Sequence, residues 1–346
     1  MIGAAGKLDM RDAADRARRI DKTLYRRLRN SLTAMEKELL QSCDEAGTAR
    51  MRSDVRRVIG AGGKRLRPSL ACLCGNADAA VQRPLRVVPL MCMLESMHTA
   101  SLIHDDVVDG ATARRGVASI NASSGGLAAV QSGDFLLAKA MERLEYYRGT
   151  GINEMLAAVS AEMCHAELRQ QRVRYEPDAQ DEAFCYALIR GKTASLLSAS
   201  CGAGALAGGL AEDAVRRLGF FGERFGLAFQ ILDDVLDYRA EEAFGRPSGQ
   251  DLRNGVLTLP ALLCGIGRRE ALRRLFAKRN KTKRELGLLV EHVRGSDALE
   301  RAAERIALHC EEALDALAPL REGAERHALT RLAMGLAERA HSLLRK

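Results

Sequence analysis

Apolar side chains recur at steps of three and four along most of the chain, and the alternation that marks a strand is nearly absent. The first such series is Ile20, Leu24, Leu28, Leu32, Met35 and Leu39, which describes one amphipathic helix packing on a protein body. A short amphipathic link, GTARMRSDVRRVIG, leads from it to Gly60, Ala61, Gly62 and Gly63, and Pro68 then suits the first turn of a new helix. Helices are predicted at 68–79, 85–108, 128–148 and 152–172, then at about 181–209 and 212–240. Gly133 and Asp134 open one of them at a tight contact or cap, and Pro260 restarts helix after a loop that follows Tyr238. Residues 261–346 read as four or five shorter amphipathic helices, one of them with Asp297 and Glu300 as a capping box. The pattern predicts an all-α protein, a single domain over residues 1–346, with residues 1–45 a leading helix packed on the rest.

Composition narrows the function classes. An apolar fraction of 47% is ample for a large core. The net charge of +8 is confined to the stretch ending at Arg67, where 17 Lys and Arg face 9 Asp and Glu, and the remainder balances at 36 against 36. A basic leader invites nucleic acid or an acidic membrane, but the apolar stripe of the leading helix favours a scaffold role, and no nucleic-acid partner is expected. Nine cysteines, an odd number with no CxxC pair and no signal peptide before them, read as reduced core thiols of a cytoplasmic protein. The longest uncharged run, between Lys192 and Glu212, is rich in Gly, Ala and Ser and reads as a tightly packed core helix, not a membrane span.

The chemistry gathers in HTASLIHDDVVD, His98 to Asp109. At about 100° per residue, Asp105 and Asp109 point the same way and His98 lies nearly on that line two turns earlier. Like charges four apart on a helix cost about 0.2–0.5 kcal/mol, so three acids without an interleaved cation ask for a metal. An all-oxygen carboxylate site suits Mg2+, which keeps waters and binds substrate phosphates. One such motif reads equally well as a solvated helix end. Its return 128 residues later as Asp233, Asp234 and Asp237, again behind an apolar run, argues for two walls of one cavity.

Cations stand near these acids. GGKRLRP joins freed backbone, Lys64 and Arg67 to a helix start, a plausible phosphate cradle, although basic loops are usually just solvated. Arg114 and Arg115, just past the first acidic motif, are placed to clamp diphosphate oxygens. Lys192 with Thr193 interrupts an apolar helix, where a lysine is costly unless it meets an anion or snorkels at a core edge. Gln230, one turn before Asp233, is placed to orient a metal-bound group.

Together DDVVD followed by Arg114, Arg115 and Gly116, the GGKRLRP at 62–68, and DDVLD resemble the trans-isoprenyl diphosphate synthase, or polyprenyl synthetase, family over about Gly62 to Pro260. The resemblance implies a single-domain antiparallel helical bundle of the isoprenoid synthase type around a central cavity. It also implies ionisation of an allylic diphosphate, such as farnesyl or geranyl diphosphate, and attack by isopentenyl diphosphate. By the same resemblance the six aspartates hold Mg2+ on the allylic diphosphate, Arg114 and Lys192 support that group, and Lys64, Arg67, His98 and Arg115 bind isopentenyl diphosphate. No protein base is implied. A homodimer, no transmembrane segment and a transient membrane-surface contact for product release complete the expectation.

Two departures from the family pattern stand out: Arg246 where a lysine is usual, and Val256 in GVLTLP where relatives carry GKxTLP. Val256 removes a cation directed at the allylic diphosphate and keeps open the reading of a weakly active subunit of a heteromer. A class I terpene cyclase would share DDxxD, but would not need the GGKRLRP and Arg114–Arg115 site. Small Ala100 and Ser101 and flexible Met97, on the path back from Asp105, imply a medium or long all-trans product of the range used for quinone side chains.

Overall fold

The computed structural model describes residues 22–77, 87–239 and 248–344. These residues are almost wholly helical, and they group into two compact units. Of the described residues, the first holds 22–77, 87–157, 199–219 and 320–329, and the second 158–198, 220–239, 248–319 and 330–344. Most of the divisions fall inside continuous helices rather than in linkers.

In the first unit the helices are α1 (Lys22–Ser42), α2 (Ala49–Gly60), α3 (Leu66–Gly75) and α4 (Val87–Val108). A hairpin of β1 (Ala113–Arg114) and β2 (Val117–Ala118) follows, then α5 (Ile120–Ser124) and α6 (Gly126–Glu142). Helix α4 is buried on every side from Pro89 to Met97, which explains why its sequence is apolar all round instead of striped. It packs on α1, α3 and α6. Leu28, Met35 and Leu39 of the leading helix join Met91, Ala100 and Ile103 of α4 and Leu136 of α6 in one core cluster. Each such side chain contributes about 1.5–3 kcal/mol by leaving water. The stripe that suggested a packing helix therefore does pack, from Lys22 on; residues 1–21 lie outside the described residues.

Two further helices start in one unit and end in the other: α7 (Ile152–Val173) and, after α8 (Glu182–Ile189), α9 (Ser195–Ala207). The uncharged run predicted as a core helix is α9. A Cβ on Gly204 or Gly208 would run into the backbone of Ala71 or Gly75 of α3, so small residues are what permit this contact. Among the described residues no helix is long and apolar enough to cross a membrane.

Helix α10 (Glu212–Arg239) also spans the division, and α11 (Gln250–Arg253), α12 (Leu259–Leu263), α13 (Glu270–Ala277), α14 (Lys283–Arg294) and α15 (Ala298–Leu317) complete the second unit before α16 (Ala324–Leu344). Within that unit Tyr238, at the end of α10, is fully buried and its hydroxyl meets Thr258 Oγ1 at 2.9 Å. Arg294 Nε donates to the Tyr238 carbonyl at 2.6 Å.

Several sequence expectations are corrected. Asp297 makes no side-chain cap, because its backbone (φ −78°, ψ 6°) is not in the extended region a capping side chain needs. The capping box belongs to Thr282 and Glu285 at the start of α14. The helix expected at 128–148 ends at Glu142 and tightens into a 3-10 turn, Arg143–Tyr147. Gly133 lies inside α6 instead of opening it, but the tight contact is real: a Cβ there would overlap the His104 ring.

Candidate active site

The first acidic motif closes α4. Gly110 (φ 63°) turns left-handed behind it, with its N–H on the Val107 carbonyl and the N–H of Ala111 on the Asp106 carbonyl, a Schellman ending that stops the helix directly after the acids. The β1–β2 hairpin then turns on Arg115 (φ 53°) and Gly116 (φ 81°). Both turn residues are left-handed, as a two-residue type I′ turn requires, which is why Arg-Arg-Gly reads as it does. The hairpin returns Arg114 to the helix end, where its Nε donates to Asp106 Oδ1 at 2.7 Å. Asp106 is only 4% exposed; burial pushes its carboxyl up and Arg114 opposes that. Asp105 is half-buried and Asp109 exposed, so the pair expected on one line is also the pair that faces outward.

Beside this motif the loop after α2 uses Gly62 (φ 77°), Gly63 (φ 146°) and a left-handed Arg65 (φ 45°) to enter α3. Arg115 lies against Gly63, where any Cβ would meet its guanidinium, and donates from Nη1 to the Gly62 carbonyl. Arg67 is half-buried, and burial together with Arg115 lowers its pKa to about 10. Its Nε is buried without a hydrogen-bond partner. His98 is held well below its usual pKa by burial and by Arg67, Arg115, Arg114 and Arg65, so it stays neutral at ordinary pH. The structure thus brings Arg67, His98, Arg114 and Arg115 together, with half-buried Lys64 in the same loop. Arg65 and Glu95, which sequence reasoning passed over, form a buried ion pair behind them.

The three residues expected to set product length differ. Ala100 is fully buried in the α1–α4–α6 core cluster and Met97 is 2% exposed, whereas Ser101 is half-buried with its hydroxyl on the His98 carbonyl at 2.9 Å. An aromatic ring at position 100 would overpack that core.

In the second unit Asp233 is exposed, Asp234 is 5% exposed and Asp237 half-buried. Gln230 Nε2 donates to Asp234 Oδ1 at 2.9 Å, and Thr193 Oγ1 donates to Gln230 Oε1 at 2.8 Å. Gln230, expected to orient a metal-bound group, is thus bonded to the middle acid of the motif, with Thr193 behind it. Thr193 and Lys192 sit on a π-helical stretch, Arg190–Ala194, that interrupts the helix expected over 181–209. Such a bulge inserts one extra residue and re-aims its side chains. Lys192 Nζ stands 2.5 Å from Glu167 Oε2 and donates to Gln170 Oε1 at 3.3 Å.

A fourth carboxylate, Asp251, stands close enough to Asp234 to matter electrostatically. Burial first, then Asp251, Asp233 and Asp237, holds Asp234 well above the usual carboxylate range. Burial pushes Asp237 up to about 6 despite amide hydrogen bonds from Gly249, Gln250 and Asp251, and its Oδ2 is buried without a hydrogen-bond partner. Crowded carboxylates and an orphaned oxygen fit a divalent cation. Among the described residues no three acidic, His or Cys side chains stand arranged to hold a metal ion by themselves.

The segment with Val256 is fixed by Gln180, whose amide donates to the Gly255 carbonyl at 3.0 Å and accepts from Leu257 N–H at 2.8 Å. Tyr175, left-handed at φ 68°, adds an N–H bond to the same Gly255 carbonyl at 2.9 Å. Val256 is half-buried, and Arg246 lies outside the described residues.

A family model described as Polyprenyl synthetase matches residues 49–293, a span that contains every motif above. The chain belongs to the polyprenyl synthetase family, and it is a prenyltransferase of the chain-elongating kind. It is similar to the heptaprenyl diphosphate synthase component 2 of Geobacillus stearothermophilus, at 33% identity over 92% of this chain and 98% of that protein. Its fold matches the crystal structure of a decaprenyl diphosphate synthase from Rhodobacter capsulatus with a TM-score of 0.83 and 30% identity, over 94% of this chain and 99% of the other. The polyprenyl synthase of Caulobacter crescentus, solved with calcium and isoprenyl diphosphate, also gives a TM-score of 0.83 at 30% identity, covering 97% and 99% of the two chains.

Proposed function

We propose that this protein condenses isopentenyl diphosphate with an allylic diphosphate, with Mg2+ as its metal, and repeats the step to give a medium or long all-trans polyprenyl diphosphate of the range used for quinone side chains. One observation carries the reading. A single helix, α4, bears an anion cradle, where His98 meets Arg67 and Arg115, and two turns later Asp105, with Asp109 directly past its end. A protein that joins two diphosphates needs both kinds of site.

In this reading Arg67, Arg115, His98 and Lys64 take the diphosphate of isopentenyl diphosphate. The buried Nε of Arg67 gains its acceptor there, and neutral His98 donates a hydrogen bond without adding charge. Asp105, Asp109, Asp233 and Asp237 present carboxylates to Mg2+, while buried Asp106 and Asp234, already engaged by Arg114 and Gln230, brace them. When bound, the metal neutralises the diphosphate that departs from the allylic carbon. Lys192 and Thr193 steady the allylic group, Lys192 trading part of its contact with Glu167 for a phosphate oxygen. Half-buried Ser101 is the position through which product length is adjustable.

A second copy of the chain is the proposed partner, supported by Leu127, Val130 and Met141, which stand 75%, 39% and 41% exposed along one side of α6. Membrane contact is limited to transient release of the apolar product. Nine free thiols, eight of them buried, suit a reducing compartment such as the cytoplasm.

The test is to incubate the purified chain with farnesyl diphosphate, isopentenyl diphosphate and Mg2+ and to size the dephosphorylated products. Products that form without isopentenyl diphosphate would instead mark a terpene cyclase. No product from the chain alone, with activity restored by a second polypeptide, would select the heteromeric reading that Val256 and the component 2 relative both support.

A further inference from the structure

Glu95 is a buried carboxylate that the proposed reaction does not use. It stands on α4 one turn before His98, only 2% exposed. Arg65 reaches it with Nη1, Glu36 with Nε at 3.3 Å, and the Ile59 carbonyl with Nη2 at 2.8 Å. Arg65 is itself 8% exposed and left-handed at φ 45°, a conformation that costs a residue other than glycine free energy and that the surrounding contacts hold. The side chain of Arg65 therefore ties both the end of α2 and α4 to the loop that begins α3.

Three further arginines crowd the same place. Arg67, Arg114 and Arg115 act with Arg65 on His98, and Glu95 is the counter-charge that Arg65, Arg67 and Arg115 share. Like charges gathered in a half-buried pocket repel one another by an amount that rises as water leaves. An anionic ligand would hold them together once bound, but the loop must already be in place to receive it.

We propose that Glu95 is a positioning residue which, through Arg65, holds Arg67 and Arg115 gathered into a receptive cradle before the diphosphate of the non-allylic substrate arrives. This rests on the reading that the cradle takes that substrate. A bare counter-charge makes the opposite prediction: its removal would leave the pocket more positive and tighten anion binding. Glu95 thus acts by geometry against its own electrostatic effect on the ligand.

The experiment is steady-state kinetics of E95Q, which keeps the shape of the side chain and removes its charge, beside E95D and R67Q. The expected result for E95Q is a KM for isopentenyl diphosphate raised about ten- to a hundredfold, the effect of misplacing binding groups by about an ångström. The allylic KM and kcat stay within about twofold, and E95D recovers part of the loss. An unchanged or lowered KM for isopentenyl diphosphate overturns the proposal, as does an equal loss across both substrates and kcat. R67Q separates this from the larger reading: if R67Q leaves that KM unchanged, the cradle is not the isopentenyl diphosphate site at all. If R67Q raises it and E95Q does not, only the role of Glu95 fails. Should E95Q not fold, R65K gives the same readout, since it keeps the charge but cannot reach Glu95, Glu36 and Ile59 at once.

Discussion

The two acidic motifs share a sequence and differ in their electrostatics. In DDVVD the buried middle aspartate, Asp106, has a guanidinium on it, and three more arginines stand within reach of the same helix. In DDVLD the buried middle aspartate, Asp234, takes its hydrogen bond from the neutral amide of Gln230, with Asp233, Asp237 and Asp251 around it. The first motif has arginines against its buried aspartate, whereas among the described residues the charged groups that act on Asp234 are carboxylates, and Arg339 acts on the exposed Asp233 beside it. A repeated motif therefore need not be a repeated site: the neighbours decide how strongly each copy demands metal.

The largest effects should come where the motifs act alike. Asp105→Ala and Asp233→Ala should each lower kcat by about a thousandfold or more while circular dichroism and chain compactness stay unchanged, since each removes stabilisation of the departing charge. Near-normal turnover of either at low Mg2+ would break the pairing of the motifs.

Next come changes of opposite sign. Arg114→Ala leaves Asp106 buried without its counter-ion and should destabilise the protein by about 1–3 kcal/mol, discounted because Arg114 is one-third exposed. Asp234→Asn relieves a crowd of carboxylates and should raise the midpoint of metal-free thermal unfolding, while shrinking the further rise that Mg2+ produces. Urea unfolding of the first variant and calorimetry of the second with and without Mg2+ check both. Equal behaviour of the two would erase the distinction.

A smaller effect is the pH dependence of the metal-free protein. Asp237 binds its proton more tightly folded than unfolded, so its contribution is present below its ordinary value of 3.8 and is lost as pH rises through about 6. His98 is the reverse. Its folded pKa lies well below the ordinary 6.5, so its contribution is present above 6.5 and lost as pH falls. Denaturation midpoints measured from pH 4 to 8 should carry both slopes. Mg2+ should flatten the limb due to Asp237 alone, and His98→Gln should remove the other.

The smallest is Val256→Lys. A cation restored on the segment that Gln180 brackets should lower the allylic KM severalfold with kcat little changed. Initial-rate measurements over a range of allylic substrate decide it, and no change would mean that another cation already serves.

Much of the site was legible before any coordinates. DDVVD, Arg-Arg-Gly, GGKRLRP and DDVLD carry their meaning in residue types at fixed spacing, and a helix turns spacing directly into direction. At 100° per residue Asp105 and Asp109 share one face, and both lie outside the core, Asp105 half-buried and Asp109 exposed. That Gln230 lies on the face of the second motif was legible for the same reason, and its bond to Asp234 agrees with that placement. What spacing could not show was the partner of each side chain across the fold. Ala100, expected beside the product path, packs in a core cluster with residues of α1 and α6, neighbours that spacing along one helix could not name. Asp297 and Glu300 had the letters of a capping box, but the backbone denied the conformation, and Thr282 with Glu285 holds it instead.

By itself the sequence determined that the chain is helical, which ends of which helices carry acid, and which loops carry cations, because these follow from periodicity and from glycine and proline chemistry within a few residues. Only the tertiary structure decided how those charges are compensated. That Asp106 has an arginine and Asp234 an amide, that Arg65 spans Glu36, Glu95 and the Ile59 carbonyl, and that a π-helical stretch presents Lys192 and Thr193 all depend on contacts made in packing. Coulomb energies vary with burial and with distances of a few ångströms, and neither is written in the order of residues along a chain.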